Sequence, residues 1–179
     1  MTVATVTAPS DEVIMEGYSE YDWAVARHEA AHAIVAEGVG VRVAVVHMGA
    51  CDLRCQPTDD LLLLGACHLE EGCRGTLVDA IAIGMAGYIG NAEEHREWIT
   101  GGDLMEVRLL VERRGGGEEH QKSGLLRAHE VLGRWESAWV VTVARLLEAR
   151  RLDGVTVREI MATWPQSEEP WEKINALPE

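Results

Sequence analysis

Two histidines four residues apart, with a glutamate directly after the first, make His28-Glu29-Ala30-Ala31-His32 an instance of the H-E-x-x-H pattern. On a helix of 3.6 residues per turn both imidazoles lie on one face, close enough to grip a single metal ion, with Glu29 beside it as a general base. The chemistry this suits is metal-assisted hydrolysis, in which a water molecule is activated and the carboxylate takes its proton. A pattern with three fixed positions also recurs by chance in helices that bind nothing, so the flanks must support the reading. Ala24, Ala30, Ala31, Ile34 and Val35 do so: the segment is a strong helix former with an apolar surface, and it predicts a half-buried helix.

That helix is expected to start at Ser19, with Asp22 three residues on as a weak capping box, and to stop at Gly38. Val39 to Met48 is rich in β-branched residues and predicts a strand, and Leu61 to Leu69 predicts a second, joined by Cys51 to Asp60. His47 and His68, on these strands, are candidate ligands by residue type alone, and ordinary sheet or loop residues on balance. Thr76 and Asp79 announce the next helix, with Leu77, Ala80, Ile81, Gly84, Met85 and Tyr88 at helical spacing. Gly84 and Gly87 cost helix propensity, which implies that another helix approaches closely there, the H-E-x-x-H helix being the expected partner.

Glu93 and Glu94 close that element, and Asp103 opens another that Gly115-Gly116-Gly117 ends. The polar stretch Glu118 to Gly124 predicts a mobile segment, and Leu125 to Arg151 one long helix with Leu132, Trp135, Trp139, Val143 and Leu146 on its apolar stripe. Leu152-Asp153-Gly154 is expected to turn, and Thr156 with Glu159 to cap a last helix ending at Trp164. The fold class expected is mainly α with a small β-sheet (α+β). Residues 19–164 form one domain, between a flexible arm over 1–18 and an irregular tail over 165–179 marked by Pro165, Pro170 and Pro178.

Composition narrows the functions open to such a domain. With 47% apolar and 26% charged residues, and six Trp standing in for absent Phe, the 179 residues suffice for one packed core. A formal charge of −14 argues against a nucleic-acid partner and against an anionic membrane surface, since both need clustered Lys and Arg. No apolar run approaches the roughly 18 to 20 residues that span a bilayer, and no signal peptide is evident, so no membrane insertion and a cytoplasmic location are expected. Cys51, Cys55, Cys67 and Cys73 lack the paired C-x2-C knuckles of a zinc ribbon and are expected to be reduced structural thiols.

A catalytic zinc takes three protein ligands and leaves a fourth position for water, so the two imidazoles need a partner from elsewhere. The metzincin extension is excluded, because Val35 and Gly38 stand where it requires Gly and His. Among the carboxylates around the following helices, Asp103 in Thr100-Gly101-Gly102-Asp103-Leu104 has the best setting, since two glycines let the backbone approach a metal. Asp at a helix start is as often a cap or a dipole partner, and composition and spacing leave the two readings level.

The span from Ala24 to Met161 resembles the M41 peptidase domain, the proteolytic half of the membrane-bound AAA proteases of the FtsH type. The family's H-E-A-G-H-A is matched by His28-Glu29-Ala30-Ala31-His32-Ala33, its strand with His after Val by Val45-Val46-His47, and its A-G with an acidic helix end by Ala86-Gly87 and Glu93-Glu94. Its T-G-x-x-x-D-L resembles Thr100 to Leu104, shortened by two residues, and its closing L-x-G-x-E-[IL] resembles Leu152 to Ile160. The resemblance implies a mostly helical fold with a small sheet, one catalytic zinc held by His28, His32 and Asp103, and Glu29 as general base. Ala31 replaces the usual Gly, the ATPase and transmembrane segments are not in this sequence, and the shortened loop keeps Glu93, Glu94 and Glu106 as alternative third ligands.

Two functions of different class follow. One is a zinc metallopeptidase acting without ATP on flexible peptide or protein segments, which would pair with an exposed edge of the Val41 to His47 strand. The other is a non-catalytic metal-binding or regulatory domain, which would have no use for Glu29. A homo-oligomer or a separate ATPase partner is left open.

Overall fold

The computed structural model describes residues 17–49, 65–72, 75–91 and 101–166. In chain order the elements are α1 (Glu20–Gly38), β1 (Val43–Met48), β2 (Gly65–Leu69), α2 (Leu77–Gly90), α3 (Gly101–Arg113), α4 (Glu118–Arg134), α5 (Glu136–Ala149), β3 (Arg151–Asp153) and α6 (Gly154–Thr163). The chain is thus mainly helical with a small antiparallel sheet, as the sequence predicts. The expected arm up to residue 16, the tail from residue 167 and the Cys51–Asp60 connection lie outside the described residues, as do Glu93 and Glu94.

α1 is the centre of the molecule. Ser19 caps it by accepting from the Asp22 backbone N–H at 3.0 Å, and Asp22 adds negative charge to the first turn. The helix is not half-buried as expected but buried all round: from Trp23 to Ala36 only Arg27 escapes full burial. Alanines make this feasible, because a surface of methyl groups lets neighbours close in from every side. α2, α4, α5, α6 and β1 all pack on it.

Arg27 is itself clamped. Its guanidinium lies 4.5 Å from the ring centre of Trp23 and 4.3 Å from that of Trp139, while its Nε donates to the Gly90 carbonyl at 2.8 Å. Trp139 Nε1 in turn donates to the Arg27 carbonyl. This ties α1 to the C-terminal end of α2 and to α5, with each cation–π contact worth about 0.5–2 kcal/mol.

The sheet order is β2-β1-β3, both pairings antiparallel. β1 is therefore the central strand, which corrects the expectation that its edge is free; Leu152 and its neighbours, expected as a turn, supply the strand on its far side. The left-handed residue after α1 is Gly40 (φ 81°), not Gly38, and β1 begins at Val43 instead of Val39. Glu37 Oε1 accepts from the Val43 N–H and from Arg158 Nη1, both at 2.8 Å, so one carboxylate locks the end of α1 to β1 and α6.

Two helix expectations are also corrected. Glu118 to Gly124 is the start of α4, not a mobile segment, and the single long helix is two, broken at Trp135 (φ −110°, ψ 24°). Gly124 explains the first: a Cβ there would meet the Ile81 side chain at 2.7 Å, so the glycine lets α4 seat directly on α2. The cap of α6 is Asp153, which accepts from the Thr156 N–H, in place of Thr156 itself.

Candidate metal centre

His28 and His32 lie one turn apart on α1 and face α2 and the first turn of α3. Their Nε2 atoms are 3.1 Å apart, and Asp103 Oδ2 sits 2.9 Å from the first and 3.2 Å from the second. The two imidazoles and the carboxylate that sequence reasoning singled out thus converge on one point and form a group that could hold a metal ion. Asp103 reaches it from the first turn of α3; Gly101 and Gly102 before it have open space around them, so the expectation that they are needed for a close backbone approach does not hold. His28 and His32 are buried, and Asp103 keeps about a quarter of its side chain exposed.

The opposite edges of both rings are fixed by α2. His32 Nδ1–H donates to the Ile83 carbonyl at 2.7 Å, and the His28 ring hydrogen-bonds to the Gly87 backbone. Ile83 and Gly87 are four residues apart, as are the histidines, so one turn of α2 orients one turn of α1. Donation from Nδ1 leaves the Nε2 lone pair for a metal, the arrangement usual around metal-bound histidine.

The close approach of α2 depends on Gly87, whose added Cβ would lie 2.5 Å from Nδ1 and 2.6 Å from Nε2 of His28. The expectation that these glycines face α1 holds for Gly87 but not for Gly84, which meets Val107 of α3. Gly87→Ala should therefore displace the His28 ring and lower metal affinity by about 10-fold or more, as a disturbed outer shell does. Competition with a chromophoric chelator reads this, and the gain of alanine in helix propensity keeps the helix itself formed.

Glu29 is 5% exposed, and its side chain lies against Gly65 of β2, where a Cβ would come within 2.7 Å of Cγ and 2.8 Å of Oε1. Burial, reinforced by the Asp103 charge and opposed by His32, pushes the Glu29 carboxyl up to about 8. For His32 burial acts downward, but the Asp103 hydrogen bond and charge, with the Glu29 charge, raise it to about 9. Burial holds His28 below its ordinary value in spite of Asp103. Asp103 goes far below the carboxylate range, because the two imidazoles outweigh its own burial.

Neither sheet histidine joins this group. His47 donates from Nδ1 to the Gly49 carbonyl and meets His68 Nε2 to Nε2 at 3.2 Å, with rings 16° from coplanar, so the two are partners of each other across β1 and β2. Glu106 is exposed on α3 and is not part of the cluster. Cys67 is a free, half-buried thiol whose pKa is pushed up by burial; Cys51, Cys55 and Cys73 lie outside the described residues.

Sequence reasoning missed Asn91, the residue after α2, which is 3% exposed and places Nδ2 3.3 Å from His28 Nδ1. Its Oδ1 is buried with no hydrogen-bond partner among the described residues. A polar residue directly after an apolar helix that ends Gly90-Asn91 was the only signal, and it reads equally well as a helix end. Gly65 was also missed, since it sits in a run of leucines and looks like a flaw in a strand. No protein-family model matches this chain, and no curated protein matches it.

Proposed function

We propose that this chain is a zinc-dependent metallopeptidase of the kind the M41 resemblance implies, cleaving flexible or unfolded segments without ATP. The observation that carries the reading is the triangle of His28 Nε2, His32 Nε2 and Asp103 Oδ2, with sides of 2.9, 3.1 and 3.2 Å, and buried Glu29 next to it. Tetrahedral zinc with ligands at about 2.0–2.2 Å needs donor atoms roughly 3.3–3.6 Å apart, so the three atoms fit one face of that tetrahedron after a few tenths of an ångström of expansion. Three ligands of the His and carboxylate type with a fourth position open are the donor set of a hydrolytic zinc site. Zinc bound there would lower the pKa of a water molecule toward 7 and polarise a carbonyl group.

The residues of the chain would do the rest. His28, His32 and Asp103 would hold and orient the site, and Glu29, buried beside them, would take the proton from the attacking water and pass it to the leaving amine. An extended substrate can pair with β2, whose second edge carries no strand among the described residues and whose Gly65 end touches Glu29. Main-chain pairing of this kind favours unfolded segments of little sequence preference.

No helix among the described residues is long and apolar enough to cross a membrane. A cytoplasmic location is part of the proposal and is supported by the free thiol of Cys67. The alternative, a metal-binding regulator without catalysis, is disfavoured by Glu29, since a carboxylate buried beside the ligands is costly and metal retention does not require it.

No G-x-x-x-x-G-K-[ST] phosphate loop occurs in these 179 residues, so for this chain acting alone folded substrates would have to open by themselves. A domain stable by about 5 kcal/mol is open in roughly one molecule in several thousand, which protects it from a protease without a motor. Purified zinc-loaded protein is expected to digest a destabilised reporter and to leave a stabilised variant of the same reporter intact, with or without ATP. Digestion of the stable reporter by the protein alone would overturn the substrate class, and a requirement for ATP would show that a motor is involved.

A further inference from the structure

Asn91 closes α2 and is buried against His28, yet among the described residues its side chain is half-satisfied: Nδ2 faces Nδ1 of the imidazole while Oδ1 has no partner. The ring edge it faces is already spoken for. With a metal on Nε2, the proton of the neutral ring is on Nδ1, the edge that faces Asn91 and the Gly87 backbone. A donor amide cannot hydrogen-bond to a protonated nitrogen. A half-turn of the amide group exchanges its two ends at little steric cost, since they are nearly the same size, and it converts a donor–donor contact into a hydrogen bond that gives Oδ1 its missing partner.

We propose that Asn91 is a positioning residue for the metal centre: its Oδ1 accepts Nδ1–H of His28 and, with the Gly87 carbonyl, fixes the tautomer and tilt that aim Nε2 at His32 Nε2 and Asp103 Oδ2. The proposal rests on the metal reading above. It gives the two histidines unequal support, since Ile83 supplies a backbone carbonyl at 2.7 Å to His32, while His28 receives a side-chain acceptor as well.

The test compares Asn91→Leu, which keeps the volume and removes the polar atoms, with Asn91→Asp, which keeps an acceptor toward His28 whichever way it turns. Zinc affinity is measured by chelator competition for the unmodified protein and both variants, with the melting temperature of each zinc-free protein as a check on folding. Asn91→Leu should bind zinc about 10- to 100-fold more weakly, and Asn91→Asp should equal or exceed the unmodified protein. Equal affinity in Asn91→Leu overturns the proposal, and so does Asn91→Asp binding as weakly as Asn91→Leu, because the amide then serves as a donor or a spacer. Failure of the unmodified protein to bind zinc would instead remove the metal reading itself.

Discussion

Asp103→Ala lowers zinc affinity by more than about 100-fold, the upper range for losing a mere outer-shell partner, while Glu106→Ala leaves it unchanged. The difference follows from position on one helix: Asp103 Oδ2 is within 3.2 Å of both Nε2 atoms, whereas Glu106, three residues on, points to solvent. Zinc retained in Asp103→Ala would sink the ligand assignment.

The same geometry sets a pH dependence. Asp103 is depressed, so the stability it adds to the zinc-free protein is present above its unfolded value near 3.8 and is lost as pH falls. His32 is raised to about 9, so its contribution is complete below 6.5 and is lost as pH rises through about 9. Zinc must displace that proton, and its affinity should climb with pH until about 9. In Asp103→Ala the climb should level off at lower pH, because His32 loses the partner that holds its proton.

Glu29→Gln keeps zinc and fold but cuts hydrolysis by about 100- to 10,000-fold, the range for removing a general base. Glutamine fills the same space against Gly65 and takes no proton from water. Melting separates this from a damaged site. A carboxyl raised to about 8 adds stability that is present below its unfolded value of 4.5 and is lost as pH rises through about 8. Glutamine is neutral throughout, so the zinc-free variant should match or exceed its parent in melting temperature at pH 9. Hydrolysis of a fluorogenic peptide at the parent's rate would show that Glu29 is not the base.

The metal helix, its Ser19 cap, the Thr76–Asp79 capping box and the strand around Val46 were legible because they depend on neighbours in sequence. The meeting of Asp103 with two histidines 71 and 75 positions away was legible only through a family pattern, since nothing local in Gly101-Gly102-Asp103 distinguishes a ligand from a cap. What could not be read was tertiary. The alanines of α1 predict a helix but not that every side of it is covered, and Leu152 supplies a strand only because β1 lies beside it. Glu118 to Gly124 looks mobile by composition and is helical because Gly124 rests on Ile81. Asn91 carries no periodic signal at all, because its role is set by a ring on another helix.

The enclosure of α1 has a consequence for how the molecule opens. A helix covered on every side has no route to local fraying, so amide exchange at His28 to His32 should require unfolding of the whole core. α3 belongs to the other extreme: only Val107 and Val111 are buried, and Leu104, Met105 and Leu109 stand 40%, 65% and 40% exposed. Two of the proposed ligands thus sit in the most cooperative unit of the protein and the third in one of its least protected. An ion shared among them would act as a rivet between the two, and part of its binding energy would appear as slowed exchange along α3.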